Sequence, residues 1–95
     1  MINEKKFWEL ARIWEYQTQN DGSRNKFFHP SLGEIIAMGK EVIPLLLKAM
    51  KDNWYLTYAL HKITNEWPVK DEWAGNPAMI IDCWVQWAKR NDYNV

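Results

Sequence analysis

The 95 residues are 47% hydrophobic and 25% charged, and the 12 Lys and Arg side chains balance the 12 Asp and Glu. This length suits one modest core, so we predict a single helical domain over residues 1–95. A neutral balance disfavours direct nucleic-acid binding, which needs clustered basic residues, and no apolar run approaches the roughly 18 residues of a membrane-spanning helix.

The first predicted helix covers residues 3–18. Its apolar residues recur at spacings of three and four and therefore share one face. They are Phe7, Leu10, Ala11 and Trp14. Asn3 is suited to cap the start of this helix. Residues 1–6 include Glu4, Lys5 and Lys6 and run directly into the pattern, so we expect no signal peptide.

A long loop is predicted after the turn-forming residues 19–23. Arg24, Lys26 and His29 are basic and lie outside the predicted helices, which makes them a secondary candidate for an anion site. In the alternative, which we favour, the loop is solvated and His29 makes only a local hydrogen bond.

A short helix is predicted over residues 32–38. Ser31 stands at the cap position, and Glu34 follows three residues later, as in a capping box. Gly39 is predicted to end the helix in the left-handed conformation, which glycine adopts without steric cost.

Two central helices are predicted over residues 40–52 and 54–64. In the first, Pro44 must lie in the first turn, with Leu46 buried and Lys48 in solvent. The second has a core stripe and a further stripe of Trp54, Tyr58 and His61 on nearly the opposite side. That further stripe is either sandwiched between two layers, which we favour, or part of a binding face.

This helix pair resembles a HEAT repeat. The segments that carry the resemblance are Met38-Gly39, Val42-Ile43-Pro44-Leu45-Leu46 and Tyr58-Ala59-Leu60. The sequence shows no second copy, and a solenoid needs about three. The resemblance therefore implies one HEAT-like hairpin within an all-α, compact bundle of about five helices.

A linker is predicted before the last helix, which covers residues 77–91 with Asn76 as its cap and Pro77 at its first position. Of the seven tryptophans, we expect four or five in the core and two or three at the surface. Trp67 is expected to fill a gap between helices. Trp73 is expected to be the most exposed, because its neighbours are polar. The single cysteine, Cys83, is expected to be buried and free.

A wider resemblance extends over most of residues 26–93. The segments that carry it are His29-Pro30, Ile35-Ile36-Ala37-Met38-Gly39, Trp54-Tyr55 and Trp84-Val85-Gln86-Trp87. They look like those of a family of small uncharacterised bacterial and mobile-element proteins. The resemblance implies a bacterial, plasmid or phage source and brings no established activity.

The residue types argue against catalysis and metal binding. Two histidines 32 positions apart and one distant cysteine do not form a zinc motif, and no phosphate-binding loop or nucleophile motif is present. We therefore expect that the protein is not an enzyme and that it binds no cofactor.

We expect a protein-binding regulator or inhibitor, antitoxin-like or anti-defence, in the cytoplasm of a bacterium or, if phage-encoded, of the host cell. The candidate anchors for its protein partner are Trp54, Tyr58, His61 and Trp73. The alternative is a nucleic-acid-associated helical module. A homodimer is left open.

Overall fold

The computed structural model of the chain describes residues 3–18 and 29–94. Within these ranges, five α-helices follow one another and no strand is present. They are α1 (Glu4–Thr18), α2 (Pro30–Ala37), α3 (Ile43–Ala49), α4 (Thr57–Thr64) and α5 (Pro77–Arg90). Short 3₁₀ turns precede the last three helices at Gly39–Val42, Trp54–Leu56 and Asp71–Trp73. The prediction of an all-α bundle of about five helices is confirmed.

The start and the buried face of α1 are as predicted. Asn3 Oδ1 accepts a hydrogen bond from the Lys6 backbone N–H at 3.0 Å, which satisfies one of the unpaired donors at the helix start. The four residues of the predicted stripe are buried: Phe7, Leu10, Ala11 and Trp14. This face brings α1 against α2.

Helix α2 starts earlier than predicted. Its N-cap is His29, whose Nδ1 accepts from the Ser31 backbone N–H at 3.1 Å, and Pro30 is the first helical residue. Ser31 is buried inside the first turn, so the prediction that it caps the helix is wrong. Proline is favoured at the first helical position because the N–H of that residue has no acceptor within the helix, so its absence costs nothing. Pro30 therefore places the helix start upstream of the predicted one. At the other end, Gly39 has φ 76°, the predicted left-handed conformation.

The predicted helix over residues 40–52 is formed by the first 3₁₀ turn and α3, and it ends at Ala49, three residues earlier than predicted. Pro44 lies in the first turn of α3, Leu46 is fully buried and Lys48 is exposed, so the predicted faces are confirmed. Asn53 Oδ1 then accepts from the Tyr55 backbone N–H at 3.2 Å and caps the next 3₁₀ turn, which leads into α4. Helix α3 packs against both α4 and α5.

Helix α5 begins at the predicted residue and ends at Arg90, one residue before the predicted end. Asn76 Oδ1 accepts from the Met79 backbone N–H at 3.3 Å, Pro77 opens the helix, and the Asn91 side chain donates to the Trp87 carbonyl at 2.8 Å. Cys83 is buried and free, as predicted. Buried residues from all five helices form one core cluster. None of the helices described is both long enough and apolar enough to cross a bilayer.

Candidate functional site

The four predicted anchor residues are half-buried. Trp54, Tyr58 and Trp73 pack against the core cluster, and Trp54 stacks on the Tyr55 ring with centroids 4.2 Å apart. The Lys70 ammonium lies 4.8 Å from the centroid of the Trp73 ring. The expectation that Trp73 is the most exposed tryptophan is therefore wrong, because a 3₁₀ turn folds its ring onto the core and Lys70 covers it.

Trp67 is the most exposed tryptophan of the described residues, at 46%, followed by Trp8 at 41%. The expectation that Trp67 fills a gap between helices is met only in part, because its ring contacts α4 and α5 but almost half of the residue is exposed. Helix α4 ends at Thr64, and its C-cap Asn65 has φ 59°. This left-handed residue redirects the chain two positions before Trp67. One part of the indole packs edge-on against the His61 and Trp84 rings, with centroids 5.5 Å and 6.3 Å away, while the rest faces solvent.

Glu66 holds the segment in place through three hydrogen bonds. Its backbone N–H donates to Thr64 Oγ1 at 3.2 Å, and its carbonyl accepts from His61 Nδ1 at 2.8 Å. Its carboxylate Oε2 accepts from Trp87 Nε1–H at 3.1 Å. Because a carbonyl can only accept, His61 Nδ1 carries the proton. The residue before Trp67 is thus tied to α4 at its backbone and to α5 at its side chain.

The Trp67 ring belongs to a continuous series of ring contacts, which we call the aromatic row. Its members, in order of contact, are Tyr58, His61, Trp67, Trp84, Trp87 and Tyr93. Trp84, at the middle, is fully buried, and its Nε1–H has no acceptor among the described residues. The row connects an exposed ring to the core, so Trp67 is supported from below by α5 and from the side by α4.

Of the three secondary anion-site candidates, the structure describes only His29. His29 Nδ1 caps α2, and its Nε2 donates to Gln17 Oε1 of α1 at 2.6 Å. Both ring nitrogens of His29 are therefore hydrogen-bonded within the protein, and the Nε2 bond joins α2 to α1. Arg24 and Lys26 lie outside the described residues.

Sequence reasoning missed Trp67 and Glu66 as members of a surface. A usable signal was present, since asparagine is one of the few residues that end a helix in the left-handed conformation. Asn65 directly follows the apolar pattern of α4. In residues 3–18 and 29–94, no group of three or more His, Cys, Asp or Glu side chains is placed to hold a metal ion.

Comparison of the chain with protein-family models, curated proteins and solved structures finds no match. The geometry of the Trp67 surface is therefore what supports a function.

Proposed function

We propose that this protein acts by binding another protein through a surface centred on Trp67, with His61 and Tyr58 beside it. The supporting observation is that Trp67 is 46% exposed while its ring packs edge-on against the His61 and Trp84 rings. The preceding residue, Glu66, is in turn hydrogen-bonded to Trp87. Tryptophan is among the residues that contribute most to interface energy. A ring held in place before binding also loses less conformational entropy when the complex forms.

The position of Trp67 changes the roles that we assign to the four anchor residues predicted from the sequence. Tyr58 and His61 remain at the site as flanking residues, since both belong to the aromatic row. Trp54 and Trp73 pack against the core and lie outside the aromatic row, so they are assigned a mainly structural role. The centre of the surface therefore moves to the short segment between α4 and the third 3₁₀ turn.

We infer further that the partner is bound stoichiometrically and is regulated or inhibited by this binding. The resemblance to small bacterial and mobile-element proteins brings only a bacterial, plasmid or phage source. For a small binding protein from such a source we propose an antitoxin-like or anti-defence role in the bacterial cytoplasm, or in that of the host of a phage. The balanced charge supports a protein partner over a nucleic acid, because phosphate binding requires clustered basic residues.

The test compares Trp67→Ala with a matched control, Trp8→Ala. Both residues are exposed to a similar extent, and they lie on different elements. Tagged wild-type and variant proteins are used to capture partners from a bacterial host lysate, which are identified by mass spectrometry. Affinity for the purified partner and melting temperature are then measured for all three proteins.

We expect Trp67→Ala to lose at least about 2 kcal/mol of binding, roughly 30-fold, because hot-spot residues show losses of this size. Its melting temperature should change little, and Trp8→Ala should bind normally. Unchanged binding by Trp67→Ala would contradict the proposal, as would equal losses in both variants. If nucleic acid is captured instead and its binding falls steeply with salt, the nucleic-acid alternative is correct.

A further inference from the structure

A cavity of about 180 Å³ opens beside Glu66. Its lining comes from distant parts of the chain: Lys40 before α3, Thr64 at the end of α4, Trp87 in α5 and Tyr93 after it. Glu66 is common to this cavity and to the segment that carries Trp67. A partner that covers Trp67 would therefore also reach the mouth of the cavity.

The lining favours a positively charged guest. The Glu66 carboxylate is held by Trp87 through Oε2, while its Oε1 has no partner among the described residues. Trp87 and Tyr93 stack with centroids 5.6 Å apart at an interplanar angle of 17°. Trp87 is only 4% exposed and packs against Trp84 as well as Tyr93, so the half-buried Tyr93 supplies the ring wall that a guest can reach. A carboxylate beside such a ring attracts a cation through both charge and ring quadrupole.

Arginine fits this combination better than lysine does. Its guanidinium is planar, stacks on aromatic rings and pairs with carboxylates through parallel N–H groups. The lysine ammonium is a compact, strongly hydrated charge that gains less from a ring wall. Lys40 lies at the lining but is exposed, and its flexible stem allows the ammonium to remain in water.

We propose that this cavity receives an arginine side chain of the partner protein. The inference rests on the proposed function and adds the chemistry of the partner to it. Recognition then has two points of contact: Trp67 enters the partner, and an arginine of the partner enters this protein.

The test uses a small probe and does not require the partner. N-acetylargininamide is titrated into ¹⁵N-labelled protein, and the Trp87 Nε1–H signal is followed by NMR, because this group donates to Glu66. We expect a saturable shift with a Kd on the order of 1 mM, the affinity of a ligand with about 15 non-hydrogen atoms at ordinary ligand efficiency. N-acetylcitrullinamide, which has the same shape without the charge, should leave the signal unmoved.

Two variants separate the cavity from the general protein surface. Glu66→Gln retains an acceptor for Trp87 and removes the charge, so it should weaken probe binding at least tenfold. The matched control is Glu72→Gln, which neutralises an exposed acid in the third 3₁₀ turn and should leave binding unchanged. Trp67 is not part of the lining, so Trp67→Ala should still bind the probe.

Several results would overturn the inference: no saturable shift, an equal response to the citrulline compound, or wild-type affinity in Glu66→Gln. Equal binding of N-acetyllysinamide would reject arginine in favour of any cation, and a shift with inorganic phosphate would show that Lys40 dominates. The proposed function is judged separately by partner loss in Trp67→Ala. If Trp67→Ala loses the partner and the wild-type protein shows no NMR shift with N-acetylargininamide, only the cavity inference is rejected.

Discussion

Leu46→Ala tests the packing of α3 against its neighbours. Leu46 is fully buried in a helix that packs against both α4 and α5. The change removes three carbon atoms, and at about 0.8 kcal/mol per buried carbon the lost transfer free energy is about 2.4 kcal/mol. Surrounding side chains close only part of the resulting hole, so the cavity raises the expected loss to about 3–5 kcal/mol. This is a large share of the roughly 5–15 kcal/mol that stabilises a typical domain.

The matched control is Lys48→Ala, two positions further along the same helix. Lys48 is exposed and alanine is the better helix former, so the free energy of unfolding should change by less than about 0.5 kcal/mol. Urea unfolding of both variants is followed by far-ultraviolet circular dichroism and compared through the midpoints. Equal midpoints would show that the assignment of the two faces of α3 is mistaken.

Three further outcomes follow from the caps and from the chemistry of the side chains. His29→Ala should lower stability by about 1 kcal/mol because the Ser31 N–H loses its acceptor, and His29→Asn should recover most of the loss; equal thermal stability of the two variants would contradict the cap. Asn65→Gly should melt close to the wild type, whereas Asn65→Val should lose about 1–2 kcal/mol of stability, because valine is strained in the left-handed conformation of this position. A valine variant as stable as the glycine variant would rule out this turn. A chelator should leave the helical circular dichroism unchanged, and a loss of helix would reveal a bound metal.

The helices could be predicted because their signals are local. Apolar spacing identified the buried face of α1, and Asn76 with Pro77 marked the start of α5. At α2 two local signals competed. The Ser31 and Glu34 pattern suggested one start, and Pro30 required an earlier one. The rule that placed Pro77 at a first helical position would have been correct for Pro30 as well.

Asn65 gave a local signal for the turn that precedes the Trp67 surface. The surface itself could not be predicted because it depends on contacts between distant residues. A tryptophan before a proline is expected in extended backbone, which says nothing about burial. Its exposure follows from the turn at Asn65, and its fixed position follows from a hydrogen bond between Glu66 and Trp87, 21 positions apart. Trp73 shows the converse, since polar neighbours in the sequence did not prevent its ring from packing against the core.

The lengths of the central helices have a consequence for how this protein folds. Helices α2, α3 and α4 have eight, seven and eight residues. Isolated helices shorter than about 12–15 residues are marginal in water, because nucleating the first turn is costly. Each central helix therefore depends on the others for its existence, and folding should be an all-or-none transition without a partly helical intermediate. The turn that presents Trp67 then forms only in the final, cooperative step, and a fragment of the chain would not display it.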